Sequence, residues 1–403
     1  MIEPETAQAR ADQHGVTAPR GFRAAGIAAG IKASGARDIA LVVNDGPLHH
    51  AAAVFTSNRF AAAPVHWSRQ VIGDGRADAV VLNSGGANAC TGAEGFANTH
   101  ATAERVAELL GISAADVLVC STGLIGEQLP MDKLLPGIQA AVDALNPEGG
   151  QQAAEAIMTT DTVPKQGDSR CETPEGAWTI GGMAKGAGML APALATMLVV
   201  LTTDAVLSPE SLDTALREAC RRSFDRADSD GCMSTNDTVI LLASGASGIT
   251  PEPQLFQDQL SALCQDLAQA LIADAEGASH DITIRTYNAE TEEQAAQVGH
   301  AVARSALFKT AIFGGDPNWG RVLSAVGTVP EAHAAYDPDQ IDVSINGVMV
   351  CRNGGIGEPR ELVDLGPRQV LVEIDLKAGA AEATVWTNDL THDYVHENSA
   401  YSS

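Results

Sequence analysis

Gly181-Gly182-Met183-Ala184-Lys185-Gly186-Ala187-Gly188-Met189-Leu190-Ala191-Pro192-Ala193-Leu194-Ala195-Thr196-Met197-Leu198-Val199-Val200-Leu201 lies almost at the middle of a 403-residue chain. Its glycines and Pro192 read as a flexible segment carrying one cation, Lys185. Met197 to Leu201 is apolar and rich in β-branched residues, which predicts a buried strand entered directly from Thr196. On pattern alone this is a turn leading into a core strand. The chemical alternative rests on Thr196. A threonine hydroxyl is a weak nucleophile and needs an adjacent base. Cutting the Ala195–Thr196 bond would create that base, an α-amine with a reference pKa of about 7.7–8.0.

Outward from this segment, strands and helices alternate. Ile39–Val43, Ala51–Phe55 and Ala79–Leu82 predict strands separated by glycine and proline turns. Residues 97–110 predict a helix with Ala103, Val106, Ala107 and Leu110 on its apolar face and Gly111 as its stop. Val117–Cys120 predicts a strand running into the turn at 121–123, and an alanine-rich helix is expected at 151–158. The proline and glycine content near 146–176 reads as a linker or surface loop. Ser208-Pro209-Glu210 supplies a capping hydroxyl, a first-turn proline and a first-turn acid for a helix reaching about Phe224. A second helix, about 254–275, buries Leu260, Leu263, Leu267 and Leu271. A strand at Ile282–Thr286, a helix at 291–305 and strands near 341–351 and 370–376 predict a smaller C-terminal α+β portion. The alternation as a whole predicts a layered α/β fold.

Composition excludes several classes. With 45% hydrophobic and 19% charged residues, the chain has the make-up of a globular protein and not of a disordered one. A formal charge of −26 repels phosphate backbones and acidic membrane surfaces, so neither nucleic acid nor membrane is an expected partner. The seven cysteines are scattered and never spaced Cys-x-x-Cys, which gives neither a disulfide framework nor a zinc site. The N-terminus shows no signal-peptide core and no apolar run has membrane-spanning length, so a cytoplasmic location is expected. The glycines around Lys32 lack phosphate-loop spacing, Asp228-Ser229-Asp230-Gly231 places its glycine too early for a calcium loop, and the histidines form no paired metal motif.

Other candidate positions each carry a plain reading, and two of them a chemical one beside it. Thr122-Gly123 is a strand-end turn, or a hydroxyl and a backbone N–H arranged as an oxyanion hole. Thr159 and Thr160, after the alanine-rich helix, read as a polar turn at a helix end. Lys185 is a solvated loop lysine, or a carboxylate anchor among glycines. Glu276 could cap the end of a helix, although the macrodipole opposes an acid there. Asn398 and Ser403 lie in a tail that would ordinarily fray.

Residues 183–204 resemble the cleavage and nucleophile segment of the ArgJ family, self-processing glutamate N-acetyltransferases of arginine biosynthesis. Other segments match in the family's order: Gly30–Gly35, Ala53–Asn58, Asn83-Ser84-Gly85-Gly86-Ala87-Asn88-Ala89-Cys90, Cys120-Ser121-Thr122-Gly123-Leu124-Ile125-Gly126-Glu127 and Ile157–Thr162. Ser234-Thr235-Asn236-Asp237-Thr238, Ala273–Gly277, Gly315–Val322 and the tail Glu397–Ser403 follow, so the likeness runs from about residue 15 to the last. Ala187 stands where many members carry serine.

The resemblance implies an α/β layered sandwich of the N-terminal-nucleophile-like type with a smaller C-terminal α+β domain. It implies self-cleavage between Ala195 and Thr196, giving an α chain, 1–195, and a β chain whose residues 196–280 complete the catalytic domain. Residues 281–403 would then form the C-terminal domain, with its tail returned to the active site. Thr196 would be the nucleophile, Thr122 and Gly123 the oxyanion hole, and Thr159, Lys185, Thr196, Glu276, Asn398 and Ser403 the substrate contacts. Acetyl would pass from N-acetylornithine to glutamate with no metal or prosthetic group, and some members also accept acetyl-CoA. The family's usual assembly is α2β2. The readings that compete are an N-terminal-nucleophile aminopeptidase or amidase and a non-enzymatic amino-acid-binding protein.

Overall fold

The computed structural model describes residues 14–189 and 197–400. The chain begins with β1 (Phe22–Ile27), β2 (Ile39–Asn44), β3 (His50–Phe55), α1 (Ala63–Val71), β4 (Ala79–Ser84), α2 (Gly92–Leu110) and β5 (Val117–Thr122). Helices α3 (Met131–Asp143) and α4 (Gly150–Ile157) lead into the hairpin β6 (Lys165–Thr173) and β7 (Gly176–Lys185). Then come β8 (Leu198–Thr203), α5 (Pro209–Arg221), β9 (Thr238–Ala243) and α6 (Pro253–Ala273). These strands form a four-stranded sheet, β1-β2-β4-β5, and a five-stranded sheet, β3-β9-β8-β7-β6. Within them β4–β5 and β8–β9 are parallel and the other neighbours antiparallel.

The alternation of side chains along each strand stacks the two sheets. Val80 and Leu82 of β4 and Leu118 and Cys120 of β5 meet Leu198 and Val200 of β8 and Ile240 and Leu242 of β9 in one inter-sheet core. The alternate residues Val81 and Val119 pack against Val106, Leu134 and Ile138 of α2 and α3. Val199, Leu201, Val239 and Leu241 pack against Leu212 and Leu216 of α5 and Leu260, Leu267 and Leu271 of α6. The result is a helix–sheet–sheet–helix sandwich, in keeping with the layered α/β expectation. Burying a Val or Leu side chain is worth about 1.5–3 kcal/mol, so strands covered on both faces supply much of its stability.

The remaining elements are β10 (Asp281–Ala289), α7 (Glu292–Ala303), α8 (Ala306–Phe313), α9 (Trp319–Val326), β11 (Asp342–Ile345), β12 (Val348–Arg352), β13 (Gly355–Ile356), β14 (Gln369–Asp375), β15 (Ala381–Asn388) and α10 (His392–Ala400). Their six-stranded sheet runs β13-β12-β11-β14-β10-β15. Ile284, Val298, Val302, Val322, Val343 and Val372 belong to its separate core.

Two local expectations need correction. The linker or loop read near 146–176 contains, besides the expected helix α4, the whole of β6, and the first glycines of the flexible segment belong to β7. Those glycines mark close packing. A Cβ on Gly181 would lie 1.9 Å from the Gly15 carbonyl oxygen, and one on Gly182 would lie 2.7 Å from the Leu201 side chain. The helix read at 97–110 begins a turn earlier, at Gly92, and ends as expected at Gly111, which adopts a left-handed conformation. Ser208 caps α5 by accepting from the Ser211 N–H at 3.2 Å.

Candidate active site

The oxyanion-hole candidates stand where β5 ends. Gly123 has φ +130°, and a Cβ there would lie 2.5 Å from the Gly86 nitrogen, so the turn requires glycine. The Thr122 carbonyl accepts from the Gly85 and Gly86 N–H groups at 2.9 and 3.0 Å. The Asn236 amide donates to the Ala87 and Ser121 carbonyls at 2.6 and 2.8 Å. Segments far apart in sequence thus hold one turn rigid, with the Thr122 side chain buried at its tip.

Lys185 ends β7 opposite Leu198 of β8. It is only 1% exposed, which excludes the solvated-loop reading. Its Nζ donates to Thr159 Oγ1 at 2.7 Å and to Thr122 Oγ1 at 3.3 Å, and lies 3.9 Å from Asp161 Oδ2. Burial lowers the pKa of this ammonium, and the Asp161 carboxylate opposes that shift.

Asp161 and Lys165 were missed by the sequence reading. Asp161 accepts from Lys165 Nζ at 2.6 Å, from the Gly186 N–H at 2.7 Å and from the Thr159 N–H at 2.9 Å. Lys165 also donates to Asp274 Oδ2 at 2.6 Å. Burial alone would raise the Asp161 pKa, but Lys185 and Lys165 hold the carboxyl well below its usual range. The spacing of Asp161 and Lys165 immediately after Thr159-Thr160 was the available signal.

Glu276 does not cap a helix. α6 ends at Ala273, and the Glu276 carboxylate accepts from the Thr160 hydroxyl at 2.8 Å and from the Asn398 amide at 2.9 Å. Thr160, and not Thr159, therefore reaches it. The contact brings α10 back onto the site. The glycine segment crosses the same carboxylate: the Glu276 N–H donates to the Ala187 carbonyl at 2.9 Å. A Cβ on Gly188 would sit 2.7 Å from Glu276 Oε2.

Ala195, Thr196 and Ser403 lie outside the described residues. Met189 and Met197, the described residues on either side of 190–196, are each held by a carboxyl. The Met189 N–H donates to Asp230 Oδ2 at 2.7 Å and the Met197 N–H to Asp237 Oδ1 at 2.9 Å. Burial pushes the Asp230 carboxyl up to about 6. Neither aspartate stood out as a site residue in the sequence. Among the described residues, no group of His, Cys, Asp and Glu is arranged to hold a metal ion. No helix among them is long and apolar enough to cross a membrane. The arrangement offers one ammonium and two hydroxyls to negative charge, and a carboxylate beside them to positive charge.

The ArgJ family model matches residues 23–403. The chain belongs to the ArgJ family. It is 64% identical to the arginine biosynthesis bifunctional protein ArgJ of Streptomyces coelicolor, over 96% of this chain and 100% of that relative. The ArgJ bifunctional protein of Bifidobacterium longum is 56% identical with the same coverage. Among solved structures, ornithine acetyltransferase of Mycobacterium tuberculosis, complexed with ornithine, is 59% identical. It covers 46% of this chain and 96% of its own, with a TM-score of 0.43.

Proposed function

We propose that this ArgJ-family chain transfers acetyl from N-acetylornithine to glutamate, with acetyl-CoA as a second donor, and that Thr196 is both its self-cleavage site and its nucleophile. One observation carries the reading. The Lys185 ammonium is bonded to Thr122 and Thr159 in a buried site, and the chain leaves that lysine directly into the segment that ends at Thr196.

In processing, Thr196 Oγ attacks the Ala195 carbonyl carbon, the Ala195–Thr196 C–N bond breaks, and the hydroxyl proton passes to the departing nitrogen. Water hydrolyses the resulting ester, leaving a free α-amine on Thr196. In transfer, this amine takes the Oγ proton as Oγ attacks the acetyl carbonyl. The proton then goes to the departing amine of ornithine. Glutamate returns through the same tetrahedral geometry and takes the acetyl group, giving ping-pong kinetics.

The Thr122 hydroxyl and Gly123 N–H are assigned to the developing oxyanion, where one donor is worth about 2.7–4 kcal/mol. Lys185 and Thr159 are assigned to a substrate carboxylate and Glu276 to the ornithine ammonium, with Asn398 and Ser403 closing the site from the tail. We assign residues 1–195 to an α chain and 196–403 to a β chain, assembled as α2β2 in the cytoplasm. Of the β chain, 196–280 completes the catalytic domain and 281–403 forms the C-terminal domain.

Intact mass spectrometry with and without N-acetylornithine tests the reading. Two chains, with one acetyl group added to the β chain, are expected. Thr196→Ala should stay one uncut, inactive chain. An uncut wild-type protein that still transfers acetyl would overturn the assignment. Hydrolysis of N-acetylornithine independent of glutamate would favour an amidase. Formation of N-acetylglutamate from acetyl-CoA above the Thr196→Ala rate checks the second donor.

A further inference from the structure

Gly30-Ile31-Lys32 lies in the loop that joins β1 to β2. That loop is folded around the side chain of Asp38, which is fully buried immediately before β2. The Asp38 carboxylate accepts from the N–H groups of Ala29, Ile31 and Lys32 at 2.7, 2.6 and 3.1 Å. Three backbone donors on one carboxylate fix the point from which the Lys32 side chain starts. Its stem passes the end of β4, where a Cβ on Gly85 would lie 3.4 Å from Lys32 Cγ. At its tip, Nζ donates to the Met158 carbonyl at 2.6 Å and to the Arg37 carbonyl at 2.7 Å.

Met158 caps the C-terminal end of α4, and its carbonyl shares one peptide group with the Thr159 N–H. That N–H donates to Asp161 Oδ2 at 2.9 Å. A single planar peptide is therefore held at its oxygen by an ammonium and at its nitrogen by a carboxylate. Both bonds are charge-assisted, the stronger kind, and together they leave the plane little freedom to turn. The Thr159 Cα lies in the same plane, so the plane aims the hydroxyl. Thr159 Oγ1 accepts from Lys185 Nζ at 2.7 Å. We propose that Lys32 is a positioning residue for substrate binding, holding the Met158–Thr159 peptide so that the Thr159 hydroxyl and the Lys185 ammonium meet one substrate carboxylate together. This inference rests on the proposed assignment of Thr159 and Lys185 to that carboxylate.

The charges around Lys32 suit a support more than a ligand. Burial lowers its pKa; the Asp38 carboxylate opposes that shift, Lys185 adds to it and Asp161 opposes it. Two like charges so placed are tolerated because each faces its own oxygen atoms. Lys32 faces two backbone carbonyls, whereas Lys185 faces two hydroxyls with Asp161 close by. The first set holds the chain in place, and the second leaves an ammonium among groups that suit a carboxylate.

Lys32→Met removes the ammonium while keeping a side chain of similar reach, and Thr159→Ala removes the hydroxyl it aims. N-acetylornithine and glutamate both carry an α-carboxylate, so Lys32→Met should lower kcat/KM about tenfold for each by the same factor, through KM, with plateau kcat little changed. The double variant should be no worse than Thr159→Ala alone, because nothing is left to aim. A charge acting directly on substrate would keep lowering kcat/KM in the Thr159→Ala background, and such additive losses would overturn the inference. So would a fall confined to glutamate, the mark of contact with its second carboxylate, or unchanged kcat/KM beside a lowered thermal midpoint. Lys32→Arg keeps a charged donor and should recover most of the loss; no recovery would count against the charge-assisted bond. Where Lys32→Met does not fold, Lys32→Gln carries the same comparison. Unchanged values in Thr159→Ala alone refute the parent assignment. A fall in Thr159→Ala without one in Lys32→Met refutes only the role of Lys32.

Discussion

Replacing Glu276 with glutamine should separate the two half-reactions. The Glu276 carboxylate is nearly buried, and the Thr160 hydroxyl and Asn398 amide occupy one lone pair on each oxygen. The remaining lone pairs are available to a substrate. Ornithine ends in an ammonium, glutamate in a carboxylate, and both side chains must use the same site in turn. Glutamine keeps the shape and an acceptor for Thr160 but loses the charge. A charge-assisted hydrogen bond contributes about 1.5–3 kcal/mol, or roughly 10- to 150-fold in rate or affinity. In a ping-pong reaction, kcat/KM for each substrate reports only its own half-reaction. Initial rates with each substrate varied against the other should therefore show kcat/KM for N-acetylornithine falling by about that factor. The value for glutamate should hold or rise, because a like charge has been removed. Asn398→Ala is the control: it loosens the tail without changing the charge facing substrate and should lower both values together. An equal fall for both substrates in Glu276→Gln would refute the idea that this carboxylate reads the side-chain charge.

Lys165→Met should lower the thermal midpoint sharply. It leaves Asp161 and Asp274 without their shared cation, and breaking a buried ion pair costs about 3–5 kcal/mol; an unchanged midpoint by calorimetry would refute the structural role. Thr122→Val preserves the β-branched side chain that ends β5 but removes a hydroxyl. It should keep the fold by circular dichroism while lowering kcat about 100- to 1000-fold, and a wild-type kcat would remove Thr122 from the oxyanion hole. Deleting residues 398–403 removes the Asn398–Glu276 contact and, among the described residues, no member of the buried cores. The truncated protein should fold and cleave yet transfer acetyl poorly, and full activity would mean the tail is not part of the site.

The physical environment of each element decides how much of it was legible. β2, β4, β5 and β8 lie between two buried faces, so their apolar runs identify them without neighbours; β9 is buried in the same way but was passed over. β6 did not announce itself. Lys-Gln-Gly-Asp-Ser-Arg-Cys-Glu-Thr carries little apolar alternation and is a strand because β7 pairs with its whole length. Short helices such as α8 and α9 and the tail helix α10 were also passed over, their placement resting on tertiary contacts more than on local pattern. In the candidate site, family motifs brought Thr122, Lys185, Glu276 and Asn398 into view. The buried charges that support them were harder to see: Lys165 and Asp274 meet across 109 positions of sequence.

The glycines of residues 181–188 are where composition misled most, and they show what the segment is built to do. Flexibility was the natural reading, because glycine loses the most conformational freedom on folding. Gly181 and Gly182 instead let β7 pass against the Gly15 backbone and Leu201, and Gly188 leaves room for the Glu276 carboxylate. Gly186 has φ +155°, and its N–H donates to Asp161. A side chain at Gly181, Gly182 or Gly188 would push apart groups that must touch, so selection for small residues there follows from contact and not from motion. The same packing explains how a lysine can be buried at the end of a strand. Close backbone approach leaves its ammonium near Thr122, Thr159 and Asp161, and these oxygen atoms replace the water that burial removes.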